Sequence, residues 1–226
     1  MSKIKLTIPK LIEEAKLFCN IESKFMNKEL FGVTDGKAVG TFVEHKFQDY
    51  LSVKYDYVLG SSANGIDLPS DEILTDIKVT SIKQPQSSCP FKNPEQKIFG
   101  LGYNLLVFVY DKTDNNAKKY ATLNFCSCSF IEKERTGDYT TTKRISEMVK
   151  DGANKEDIVA YLIDRNIPAD DTVLYKIAER ILTNPPKLGY LTISNALQWR
   201  LQYQRIVDLT DQVGGIIKII DKVNSK

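Results

Sequence analysis

The sequence holds one histidine, His45, one tryptophan, and four cysteines with no Cys-x-x-Cys pair among them. That scarcity argues against a structural zinc site, which draws its ligands from closely spaced Cys and His. Cys126 and Cys128 fall in a predicted strand with their thiols on one face. With Cys19 and Cys89 they read as reduced, buried thiols. Long apolar runs are also missing: nothing approaches the 18 or so residues of a membrane span. Lys3, Lys5 and Lys10 interrupt the start, so there is no signal-peptide pattern, and the expectation is an intracellular protein without a membrane partner. Charge of either sign is not in excess. Lys+Arg 31 against Asp+Glu 29 leaves +2, a balance that neither demands nor excludes a nucleic-acid partner and requires any basic surface to be local. Repeats and low-complexity segments are absent.

What is present is ordinary globular material: 226 residues, 42% hydrophobic and 27% charged, enough for one domain, with or without a subdomain, around a substantial core. Residues 7–30 read as helical, opening at Thr7-Ile-Pro9. A loop at 32–36 leads to a second helix over 37–51, buried along Phe42, Val43, Phe47, Tyr50 and Leu51. Tyr55–Leu59 reads as a strand, and 60–65 as a connection of small residues that lets backbone approach a ligand. The loop 83–91 either offers amides to base edges or serves as a rigid connector. A short helix over 94–99 precedes Tyr103–Tyr110, the most apolar segment and the predicted central strand. After a turn at 111–117, 119–131 is another strand. Helix, strand, strand, helix, strand, strand suits an α/β (α+β) fold, a central mixed sheet flanked by helices. From about 140 the chain reads as mostly helical, with helices over 141–150, from Asn154 as N-cap with Asp157 at N3, and from Pro168 to about Thr183. Asn184–Gly189 is a hard break and a candidate subdomain junction. The ending 214–220 is a strand, a tail helix or a dimer contact. The expected organisation is a core over 1–139 and a helical region over 140–226 within the same domain.

The most informative stretch is Gly65-Ile-Asp-Leu-Pro-Ser-Asp-Glu-Ile-Leu-Thr-Asp-Ile-Lys-Val-Thr80. It reads as two short strands folded back at 69–72. Ile73, Thr75, Ile77 and Val79 alternate with Leu74, Asp76, Lys78 and Thr80, the period of a strand, and the first set makes the better core face. With an even loop, Asp67 and Asp76 share a face at roughly 7–8 Å on a cross-strand diagonal. An odd loop puts them on opposite faces. Two carboxylates beside a lysine suit a hard divalent cation and a phosphate. The acid-x-Lys triplet alone carries no weight, because Glu14, Glu22, Asp35, Glu44 and Glu95 each stand two residues before a lysine as well. Only Asp76-Ile77-Lys78 lies in a β-branched strand with another aspartate upstream across a turn. The plainer reading is an edge hairpin with solvated charges.

A second informative stretch is 194–207, read as a helix. At 100° per residue Asn195, Gln198, Gln202 and Arg205 form one stripe, with Arg200 on the same segment. Amides and arginine suit the major groove, where Asn or Gln pairs with adenine and Arg with guanine; the alternative is a solvent-facing, glutamine-rich helix. Over 183–226, Lys187, Arg200, Arg205, Lys218, Lys222 and Lys226 oppose Asp208, Asp211 and Asp221, a local surplus of cations that favours phosphate. Lys187, before this stretch, and Gln84 and Gln86, in the 83–91 loop, complete the candidate DNA-binding set.

In its context, Ile66-Asp67-Leu68 followed by Asp76-Ile77-Lys78 resembles the PD-(D/E)xK nuclease superfamily. Ile66 stands where the pattern has proline, and the residues between the aspartates, 68–75, make a short spacing. The resemblance implies a restriction-endonuclease-like fold with Asp67, Asp76 and Lys78 as catalytic residues. It further implies Mg²⁺ held by Asp67, Asp76 and the Ile77 carbonyl. It also matches Glu44, by order and type, to a metal-binding glutamate on the helix before the hairpin, although an ordinary solvated glutamate fits that position equally. Within the superfamily the chain looks most like a type II restriction endonuclease. That class implies a homodimer cutting double-stranded DNA at a short site in the bacterial cytoplasm, alongside a cognate DNA methyltransferase. A repair or structure-selective nuclease of the same superfamily, or a DNA-binding protein on a decayed nuclease fold, are the alternatives.

Overall fold

The computed structural model of the chain describes residues 3–60, 65–89, 92–194 and 199–224. In chain order its elements are β1 (Ile4–Lys5), α1 (Ile8–Glu22), α2 (Gly36–Ser52), β2 (Tyr55–Asp56), β3 (Thr75–Ser81), β4 (Gln86–Cys89), α3 (Gln96–Phe99), β5 (Asn104–Asn115), β6 (Tyr120–Ile131), α4 (Tyr139–Lys150), α5 (Lys155–Asp164), α6 (Asp171–Thr183), β7 (Thr192–Ile193), β8 (Trp199–Gln202), α7 (Gln204–Val207) and β9 (Ile216–Asp221). They form two compact units. One comprises 1–87, 104–131 and 207–226; the other comprises 88–103 and 132–206.

The first unit is built on a mixed four-stranded sheet in the order β3-β5-β6-β9, with helices packed on it, as the sequence predicts. β3 runs parallel to β5, with Asp76 beside Leu105 and Lys78 beside Val107. β6 is antiparallel to both β5 and β9. Tyr103–Tyr110 is the expected interior strand, but it continues to Asn115 and turns only at 116–119. The ending 214–220, left open by the sequence, is strand β9. Phe18 of α1, Phe47 of α2, Phe108 of β5 and Phe125 of β6 meet in one aromatic cluster, with Phe18 and Phe47 centroids 5.0 Å apart. Such contacts add to the area they bury. α1 stops at Glu22, well short of residue 30. The buried Glu22 carboxylate accepts from Asn27 Nδ2 at 2.8 Å and pairs with Lys46 at 2.8 Å. The Asn27 backbone then pairs in both directions with Ala121, which no helix would allow. The strand predicted over 55–59 shrinks to Tyr55–Asp56.

The second unit packs α3 against α4, α5 and α6 through Ile98, Ile145, Ile158, Leu162, Ile177 and Ile181. The cap expected at Asn154 is present: its side chain accepts from the Asp157 N–H while Asp157 accepts from the Asn154 N–H. α6 is capped by Asp170. Asp138 caps α4 and also accepts from the Ile193 N–H at 2.9 Å, fixing the start of β7. Asn184–Gly189 lies inside this unit. The chain turns there so closely that a Cβ on Gly189 would lie 2.2 Å from the Gly137 carbonyl oxygen.

One predicted element is overturned. Among the described residues of 194–207 the expected helix is not found over its middle: 199–202 form β8, antiparallel to β7 with Ile193 opposite Leu201 and Thr192 opposite Gln202, and helix is confined to Gln204–Val207. Leu201 and Tyr203 are buried while Arg200 and Gln202 are exposed, a period of two that pairing with β7 enforces. Asn195 and Gln198 lie outside the described residues.

Candidate active site

Asp67 and Asp76 come together, although not through two strands. Asp67 precedes an isolated antiparallel bridge, Leu68 opposite Thr75, closed by backbone hydrogen bonds of 3.0 Å in both directions. The loop 69–74 is longer than the four residues expected but still even, so both aspartates fall on one side. The bridge register puts them opposite each other rather than on a diagonal. The loop ends at Leu74 with φ 33°, a left-handed conformation that costs a branched residue on the order of 1 kcal/mol. The Leu74 carbonyl accepts from the Asn104 N–H at 2.8 Å, which holds it there.

The Ile77 N–H donates to Asp67 Oδ2 at 2.7 Å. β3 is an edge strand with β5 on its other side, so this amide points outward, and the Ile77 carbonyl lies along the same edge. Gly60 closes the opposite flank: its N–H donates to the Asp67 carbonyl at 2.8 Å, and a Cβ there would sit 1.8 Å from the Ile66 oxygen. The close approach at Gly60 is to the chain's own backbone rather than to a ligand, and 61–64 lie outside the described residues. Helix α2 supplies the third wall. Gly40 lets it close on β3, with a Cβ placed there only 3.3 Å from the Val79 oxygen. Glu44 and Gln48, one and two turns further on, then face the aspartates.

Glu44, His45, Gln48, Gly60, Gly65, Ile66, Asp67, Asp76 and Lys78 line one cavity of about 240 Å³. His45 and Gln48 join the cavity beyond the residues that the sequence marks as candidates. Gln48 had a signal, its helical i+4 spacing from Glu44; His45, exposed and adjacent, had none. Gln84 and Gln86 are not among the lining residues. The predicted 83–91 loop contains β4, and the Gln86 N–H donates to Thr80 Oγ1 at 3.1 Å. That amide is therefore engaged within the protein, because Thr80 anchors the chain as it leaves β3.

Asp76 is 3% exposed. Lys78 Nζ stands 2.7 Å from its Oδ2, an ion pair, yet that enclosed oxygen has no hydrogen bond of ordinary angle. Burial pushes the Asp76 carboxyl up to about 7; Lys78 opposes the rise and neighbouring Asp67 adds to it. Burial and the Asp67 carboxylate push Glu44 up to about 8, with Lys78 again opposing. One lysine against three carboxylates leaves the cavity short of positive charge. Among the described residues no three His, Cys, Asp or Glu side chains already form a metal cage. The donors nevertheless fit a hard divalent cation, being oxygen only and anionic, with the buried Asp76 carboxylate balanced by the Lys78 ammonium alone.

Residues 5–218 match the family model for the type II restriction enzyme NspV. The type II restriction enzyme NspV of Nostoc sp. (strain ATCC 29411 / PCC 7524) is 51% identical over 214 residues, covering 95% of this chain and 96% of the relative. The chain belongs to the NspV family of type II restriction enzymes. No solved structure matches it. The matched span contains Glu44, Gln48, Asp67, Asp76 and Lys78, so the cavity of this NspV-family chain lies wholly inside the region of likeness. No helix among the described residues is long and apolar enough to cross a membrane.

Proposed function

We propose that this chain hydrolyses double-stranded DNA at a short recognition sequence, with Asp67, Asp76 and Lys78 as its catalytic residues and Mg²⁺ as cofactor. The observation that carries the reading is the Leu68–Thr75 bridge, which sets the two aspartates against each other beside Lys78 in a charge-deficient cavity. Asp67, Asp76, the outward Ile77 carbonyl and Glu44 would hold the cation. Bound there, Mg²⁺ supplies positive charge against the phosphate oxygens and acidifies a coordinated water. Lys78 adds a second positive charge as negative charge grows on phosphorus-bound oxygen. A water oxygen joins phosphorus, one P–O ester bond breaks, and the leaving oxygen takes up a proton.

For sequence reading, β8 replaces the predicted helix. Arg200 and Gln202 alternate with buried Leu201 and Tyr203 and so project together from the exposed face of β8, the middle strand of the sheet β4-β8-β7, and side chains of these types suit base edges in a major groove. The Arg205 guanidinium stacks 3.6 Å over the Tyr139 ring, which pre-orients it for a planar partner. Lys187, exposed ahead of β7, suits phosphate. Asn195 and Gln198 stay candidate base contacts from the sequence alone, since they lie outside the described residues. The exposed Gln84 and half-buried Gln86 remain candidate contacts from the other unit.

A homodimer, one site per strand, follows from cutting both strands, and sedimentation at working concentration tests it. A bacterial cytoplasm and a methyltransferase guarding the same DNA site complete the proposal. Incubation with phage DNA, with and without Mg²⁺, tests the activity. Discrete bands that require the cation are expected; a smear points to an unspecific nuclease, and intact DNA in Mg²⁺ refutes the reading.

A further inference from the structure

We infer that Gln48 is a positioning residue that aims the Asp67 carboxylate at the cation site, an inference that rests on the reading of Asp67 as a metal ligand. The Gln48 amide Nε2 donates to Asp67 Oδ1 at 3.4 Å, while the Ile77 N–H holds Oδ2 at 2.7 Å. The two donors come from different elements, α2 and β3, and together they fix the plane of the carboxylate. The Asp67 main chain is fixed separately, by the Gly60 N–H on its carbonyl.

Gln48 is itself held. Its main-chain carbonyl accepts from the Tyr57 hydroxyl at 2.8 Å, and burial, with Asp49 adding to it, pushes that phenol up to about 12, so Tyr57 remains a donor at working pH. Its turn of α2 is brought against β3 by the close approach at Gly40. A neutral amide is suited to this place. It supplies an N–H to a carboxylate without a full charge that would compete with the cation. A lysine in the same position would be a second cation in the cavity and would repel the metal. A bond of 3.4 Å is long for N–H···O, so the contribution lies in orientation rather than in holding the fold together.

Outer partners of ligating carboxylates typically change metal affinity or activity by about 10–100-fold when removed. The test uses the full chain carrying Gln48→Met, which keeps side-chain length and loses the donor, with Asp67→Ala alongside. Ca²⁺ binding is followed by calorimetry without DNA, and single-turnover cleavage is followed across a Mg²⁺ series. Gln48→Met should weaken Ca²⁺ binding by about 10–100-fold and lower the cleavage rate at limiting Mg²⁺. High Mg²⁺ should restore much of that rate, and DNA affinity should stay unchanged. Wild-type Ca²⁺ affinity in Gln48→Met overturns the inference. So does loss of its cooperative melt, which would make the residue a structural support. If Asp67→Ala also binds Ca²⁺ like the wild type, the reading of Asp67 itself fails. If Asp67→Ala loses binding and Gln48→Met does not, only the role of Gln48 is refuted.

Discussion

A carboxyl group that is 3% exposed and faces one ammonium releases its proton at higher pH than a solvated one, because burial disfavours the charged form. Asp76 at about 7 and Glu44 at about 8, against ordinary values of 3.8 and 4.5, therefore hold protons in the folded state that the unfolded chain has released. Where the native state binds more protons than the unfolded one, stability falls as pH rises. The window runs from the ordinary carboxylate range up to about 8. In metal-free buffer the melting temperature should drop between about pH 5 and pH 8, and Glu44→Gln should flatten that slope. A millimolar divalent cation should restore the loss at pH 8 by binding the native state. A melting temperature independent of pH over this window, in EDTA, would contradict the assignment. Removing the carboxylate altogether separates catalysis from binding. Asp76→Ala should abolish cleavage yet bind cognate DNA as well as the wild type, or more tightly without metal, because one source of repulsion toward phosphate is gone. Wild-type cleavage by Asp76→Ala would remove it from the catalytic set.

Elements position these residues, and the site depends on how closely they approach. A Cβ on Gly60 would meet backbone, the Ile66 oxygen, at 1.8 Å, so no rotamer change relieves it. Gly60→Ala should displace Asp67 by a sizeable fraction of an ångström and lower the single-turnover rate by on the order of 100-fold. Gly214→Ala, where nothing lies within 4 Å, should leave it unchanged, and equal rates for the two variants would show that Gly60 imposes no constraint. Much at this scale was legible in the sequence. The period-3.6 patterns of α2, α4, α5 and α6 are long and capped, and Asn154 with Asp157 even marks its own start. The catalytic stretch was legible in chemistry but not in shape. Residues 66–68 make a single bridge and not a strand, because the six-residue loop 69–74 is held by the Asn104 N–H, a contact from a segment 30 residues further along. β8 misled for a related reason. Trp199, Tyr203 and Ile206 stand at helical spacing while Leu201 and Tyr203 also alternate with Arg200 and Gln202, and the pairing of Ile193 with Leu201 decides between the two patterns. The role of Gln48 is not legible in the sequence, because its partner, Asp67, is a tertiary neighbour.

A chain carrying only +2 overall cannot bind DNA by bulk charge, so affinity must come from local cations and specificity from shaped contacts. That division can be measured with one set of variants in Ca²⁺, which occupies oxygen sites of this kind while supporting cleavage poorly. If β8 reads bases, Arg200→Ala and Gln202→Ala should each lose about 1–3 kcal/mol on cognate DNA. On random DNA they should lose much less, since phosphate attraction supplies that binding. Both side chains are exposed on the same face of a strand whose other face is buried, so neither truncation should disturb the fold, and unchanged melting temperatures check this. Arg205→Ala should resemble them if its stacked guanidinium reaches a base, and Lys187→Ala if it touches only phosphate should not. Lys187→Ala should instead weaken both DNAs alike and reduce the slope of log affinity against log salt by about one. The contrast between the two classes of variant is the decisive quantity. Equal losses on cognate and random DNA for both Arg200→Ala and Gln202→Ala would mean β8 only grips the backbone. The reader would then have to be sought at Gln84 and Gln86.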